Sequence, residues 1–112
     1  MKAILDALKN PSGVSIGYFS VTVDDAPAVV LPSIPASAVT AMVIIEADAA
    51  AATPTRVVRF REDGGLPTSL IGRPAGNDTV YEVVGRTNIN NFRIIGITGG
   101  ETHTIHVEYF GR

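Results

Sequence analysis

The sequence predicts an all-β protein: one antiparallel β-sandwich, jelly-roll-like, of about eight short strands over residues 14–112, with a short N-terminal helix or arm over residues 1–13. Three observations predict it. Segments rich in Val, Ile, Thr, Tyr and Phe alternate apolar and polar positions. Gly, Pro, Asn and Asp clusters interrupt them every 8–14 residues. At 112 residues the chain matches one ordinary domain and can bury a single core without covalent staples.

Residues 2–9 place Ile4, Leu5 and Leu8 on one helical face, and Pro11 and Gly13 stop the helix. So short a helix is not stable alone, so the stripe is expected to dock on its own domain or to reach a partner. From residue 15 the period changes to two, with Phe19, Val21 and Val23 sharing a face. Asp24, Asp25, Ala26 and Pro27 close that strand as a turn. A short strand over Val29, Val30 and Leu31 precedes a Pro-rich surface crossing, residues 32–36. Residues 41–47 read as a buried strand, although the Ala content leaves a helix open there, and residues 48–54 read as a flexible Ala-rich loop.

Residues 56–61 alternate again: Val58 and Phe60 face one way, Arg59 and Arg61 the other. Asp63, Gly64 and Gly65 tolerate the left-handed backbone of a tight turn, so a hairpin is expected to return through a short strand at Thr68–Ile71, ended by Gly72 and Pro74. Strands at residues 80–84, 92–97 and 102–110 follow, the first two separated by a polar loop over residues 85–91. The last strand alternates most cleanly: Ile105, Val107 and Tyr109 inward, Thr104, His106 and Glu108 outward.

Composition excludes several functions. Without cysteine there are neither disulfides nor thiolate metal sites. A net charge of −2 argues against a nucleic-acid partner, which demands a basic face. No apolar run is long enough to cross a membrane, and the N-terminus lacks the pattern of a signal peptide, so a soluble protein made in a cytoplasm is expected. Seven of the nine basic residues are Arg, which suits interfaces and planar ion pairs, although codon usage in a GC-rich genome would give the same bias.

No catalytic or cofactor constellation emerges. His103 and His106, three apart on a strand, point to opposite faces and cannot share a metal without a bulge; solvent-facing or edge positions are expected. The carboxylates are scattered without calcium-loop spacing, leaving Asp24 or Asp25 at a loop end as the remaining acidic candidates. There is no nucleophile elbow, and the Gly-rich stretches 72–76 and 96–100 are turns rather than phosphate cradles. Arg59, Arg61 and Arg93 are expected to cluster across neighbouring strands and to pair with Glu62, Glu82 or Glu108. The protein is therefore expected to be no enzyme and to hold no cofactor.

One resemblance emerges from the placed motifs. Ile45-Glu46, then Val58-Arg59-Phe60-Arg61-Glu62-Asp63-Gly64-Gly65-Leu66-Pro67-Thr68, then Gly72-Arg73-Pro74, Tyr81, Asn91-Phe92-Arg93-Ile94-Ile95 and Val107-Glu108-Tyr109-Phe110 occur in the order of a pattern found in small proteins of tailed bacteriophages. Over roughly residues 29–110 the chain resembles these small β-sandwich virion structural proteins, encoded near capsid and tail genes. The Ala-rich residues 48–54 and the N-terminal helix depart from the pattern. No functional residue is carried over.

The resemblance implies a capsid decoration or cement protein that binds and stabilises major capsid subunits. It would be a homo-oligomer, localised in the virion and assembled in the host cytoplasm. Partner contacts are expected from Ile4, Leu5 and Leu8 of the arm and from Arg59 and Arg61. The rivals are a neck, tail or head-fibre protein, told apart by copy number per particle, and a carbohydrate-binding module using Tyr18, Tyr81 or Tyr109.

Overall fold

A computed structural model describes residues 14–111. The expected strand at residues 15–23 is β1, Val14–Val23, and the ambiguous Ala-rich segment is β2, Ala38–Glu46. The alternation of buried and half-buried residues along β2 decides against a helix, because every second side chain enters the core. The chain continues through β3 (Val58–Arg61), β4 (Arg73–Ala75), β5 (Val80–Val84), helix α1 (Arg86–Asn91), β6 (Arg93–Gly96) and β7 (His103–Gly111).

Two antiparallel sheets result, ordered β1-β7-β2-β5 and β4-β3-β6. Val29 adds a bridge on the free side of β6: its N–H donates to the Ile94 carbonyl at 2.8 Å, and its carbonyl accepts from the Ile94 N–H at 3.0 Å. Where a full Val29–Leu31 strand was expected, only the bridge at Val29 forms, and Pro32 lies just beyond Leu31. Counted as the second of eight strands in chain order, it makes the sheet orders 1-8-3-6 and 2-7-4-5. That is the double Greek key of a jelly roll, so the predicted fold class holds.

The core lies between the sheets. Val43, Ile45, Val83, Ile105, Val107 and Tyr109 from one sheet meet Val58, Phe60 and Ile94 from the other, and Leu31, Ile89 and Phe92 close the ends. Burial of each such side chain contributes roughly 1.5–3 kcal/mol. The register places Val107 between Phe19 and Val43, and Ile105 between Val21 and Ile45, so the inward set predicted for β1 and β7 is correct.

Two further expectations fail. Residues 85–91 form a helix, not a loop: Gly85 supplies its N-cap position, and the fully buried Ile89 anchors the single turn and a half against the core. Propensity gave no warning, because docking one apolar side chain outweighs three helix-indifferent Asn residues. The returning strand of the hairpin is Arg73–Ala75 rather than Thr68–Ile71. The Thr68 hydroxyl accepts the amides of Leu70 and Ile71 at 3.2 and 3.0 Å, which makes a side-chain turn instead of a strand ladder. Pro74 is accommodated because β4 is an edge strand.

Candidate functional site

The most distinctive surface is built by β3 and the loop that follows it, residues 62–72. Alternation on β3 sends Val58 and Phe60 into the core and leaves Arg59 and Arg61 half-buried on the other face. Both guanidinium groups turn onto the loop. Arg59 donates through Nε to the Ser69 carbonyl at 3.0 Å and through Nη1 to the Gly72 carbonyl at 2.8 Å. Arg61 grips Asp63 through two bonds, and the Gly65 amide donates to the same carboxylate at 3.0 Å. These contacts hold the Asp63 carboxyl at about 2, well below the usual carboxylate range, the Arg61 hydrogen bond being the chief cause. Gly72 takes φ 123°, and a side chain there would press on the Phe60 carbonyl, which explains a glycine at the point where the loop turns back into β4.

The braced loop carries three large apolar side chains outward. Leu66 is 67% exposed, Leu70 83% and Ile71 54%. Beside them lies a cleft of about 430 Å³ lined by Phe60, Arg61, Glu62, Asp63, Ile71, Gly72, Arg73 and Asn88. Its two arginines face two carboxylates, so it offers no net charge to an ionic ligand. At its rim the Arg73 Nη1 donates to the Tyr81 hydroxyl at 2.9 Å, and that hydroxyl donates to Glu62. Burial, reinforced by Glu62, raises the Tyr81 pKa, so the phenol remains a donor. Arg73 also lies over the Tyr81 ring, 5.6 Å from its centroid, and Phe60 backs the ring at 4.6 Å. The result is a stiff polar wall beside an apolar tip, an arrangement suited to binding a surface.

The other sequence candidates are dispersed. Ile4, Leu5 and Leu8 lie outside the described residues. Arg61 and Arg93 are directly opposite in the β3–β6 register, yet neither uses the expected glutamates. Arg61 takes Asp63, and Arg93 donates to the Asn90 and Phe92 carbonyls. Glu82 and Glu108 belong to the other sheet, out of reach, and Glu108 accepts from Ser15.

The histidines do face opposite ways, but the expected solvent or edge position fails for His103, which is wholly buried. Its Nδ1 accepts the Asp48 amide at 3.0 Å, while Nε2 has no hydrogen-bond partner, Glu101 Oε1 lying 3.5 Å away. His106, on the outer face, reaches Glu46 at 2.8 Å. Asp24 accepts the Thr102 hydroxyl, and among the described residues no three His, Asp or Glu side chains converge as a metal site. Of the tyrosines, Tyr109 is buried and donates to the Pro32 carbonyl, whereas Tyr18 is exposed beside His106. No helix among the described residues is long and apolar enough to cross a membrane.

The apolar tip escaped sequence reasoning. Leu70 and Ile71 were assigned to a return strand, and the signal against that was their place, with Leu66, in a run of Gly, Pro, Thr and Ser.

No family model matches the chain, and no curated protein matches it. Among solved structures, a chain titled "Cyanophage Pam1 capsid asymmetric unit" is similar at 20% identity and a TM-score of 0.38, over 88% of this chain and 83% of that one. A TM-score so low bears on neither fold nor role.

Proposed function

We propose that this protein is a non-enzymatic structural component of a tailed-bacteriophage virion, acting as a decoration or cement protein that binds major capsid subunits as a homo-oligomer. The observation that carries a binding role is the 62–72 loop, which is braced by Arg59 and Arg61 while it holds Leu66, Leu70 and Ile71 in solvent. Exposed leucines on a pre-ordered loop lose little conformational entropy on docking, and they become the anchors of an interface. The virion assignment rests on the sequence resemblance over residues 29–110, since a jelly roll alone serves many unrelated functions. Arg59 and Arg61 enter this reading as the supports of the contact loop.

The test is co-sedimentation of the purified protein with expanded empty capsids. Binding is expected, and Leu66→Asp with Leu70→Asp should abolish it while leaving the circular dichroism spectrum unchanged. No binding by the intact protein overturns the proposal, and full binding by the double variant removes the loop from it.

A further inference from the structure

We infer that β1 is the self-association edge of this protein, pairing antiparallel with β1 of a second copy around Phe19. The surface is identified by comparing how the four sheet edges end. β4 is three residues long and carries Arg73 and Pro74. β6 is covered by the Val29 bridge. β5 is five residues long and presents the exposed Glu82. Short length, proline, charge and a covering segment are the devices that keep a strand edge from recruiting another strand. Among the described residues β1 has none of them: its ten residues, VSIGYFSVTV, contain no charge and no proline, and no described segment pairs with its open side. Among the described residues it is paired on one side only, with β7. Its single irregularity, between Ser15 and Gly17, leaves a regular stretch from Gly17 to Val23.

The same comparison selects the occupant. A second copy offers three other edges, each blunted as above, so only its own β1 matches in length and lack of charge. Antiparallel pairing about a two-fold axis normal to the sheet sets residues on one face opposite each other. With Phe19 facing Phe19, Tyr18 faces Ser20, and no like charges meet. Phe19 is 36% exposed at the border of the core-side face, and Tyr18 57% exposed on the outer face, so both gain cover from the added strand. The two four-stranded sheets then run on as one. This inference rests on the self-association in the proposed function but not on the virion.

The test is sedimentation velocity across a concentration series, combined with hydrogen exchange of the β1 amides. The intact protein is expected to dimerise, with slower exchange in β1 as concentration rises. Tyr18→Lys with Ser20→Lys sets lysines opposite each other and should weaken association by at least about tenfold. Tyr18→Lys with Ser20→Glu makes opposite charges face and should restore it. Both positions changed in these pairs, Tyr18 and Ser20, carry exposed side chains, and circular dichroism checks the fold of each variant. A protein that stays monomeric overturns the inference, as does a dimer indifferent to the lysine pair. A lysine–glutamate variant no tighter than the lysine pair overturns the Phe19 register. Dimerisation only after removal of residues 1–12 overturns it too, in favour of a β1 covered by its own chain. A monomer that binds capsids would overturn this pairing and the homo-oligomer of the proposed function while leaving its capsid binding standing, and a dimer that binds no capsid would leave the pairing standing and overturn the capsid binding.

Discussion

Arg61 and Asp63 form a two-residue clamp at the start of the loop, with Nε to Oδ1 at 3.0 Å and Nη2 to Oδ2 at 2.6 Å. The clamp sets a pH dependence with a definite sign. The folded Asp63 pKa, about 2, lies below its ordinary value of 3.8. Its contribution is therefore present above 3.8 and lost as pH falls towards 2. An NMR carboxyl titration should place Asp63 near 2, and Arg61→Ala should return it towards 3.8. An unmoved value in that variant would mean that the Gly65 amide, not Arg61, holds the charge.

Tyr109 predicts the alkaline limit. Burial raises its pKa from 10.0 to about 12, so the stability it supports is present below 10.0 and declines as pH rises through 12. In an ultraviolet titration Tyr109 should ionise late, together with unfolding. Tyr109→Phe should remove the late step and cost about 1–2 kcal/mol through the unpaired Pro32 carbonyl, measured by denaturant unfolding.

Arg59→Ala should loosen the loop without dissolving the fold. Two hydrogen bonds to carbonyls disappear from a half-exposed site, for a cost of about 1–2 kcal/mol. Faster hydrogen exchange should be confined to the loop, residues 62–72. Arg59→Lys should recover only part of the effect, because a point charge cannot span both the Ser69 and Gly72 carbonyls.

The contrast between Ile105 and Leu70 separates core from contact surface. Ile105→Ala empties a site between Val21 and Ile45 and should cost about 2–5 kcal/mol in chemical denaturation. Leu70→Ser, at a side chain 83% exposed, should change stability by no more than about 0.5 kcal/mol. A large loss from Leu70→Ser would show that the loop tip packs on its own domain.

Local residue pattern was enough for the fold class, because inward and outward residues alternate along the chain and any register that buries Val58, Phe60, Ile105, Val107 and Tyr109 demands two facing sheets. It also determined the turns at Asp24 and Gly64, where backbone geometry restricts the residue. Tertiary structure decided the rest. Residues 86–91 became helical because the core had room for Ile89, and Thr68–Ile71 lost its strand to the Thr68 hydroxyl. His103 was buried because the β7 register carried it inward beside Val23. In the sequence Arg59 and Arg61 were expected to pair with glutamates and to supply contacts to a partner. Folding brought the Ser69 and Gly72 carbonyls to Arg59, while Asp63, two residues along, took Arg61, and so both became the braces of an apolar tip. Hydrogen-bond partners ten or more residues away meet only when the chain has closed, so which side chains are left for a partner is a property of the folded surface.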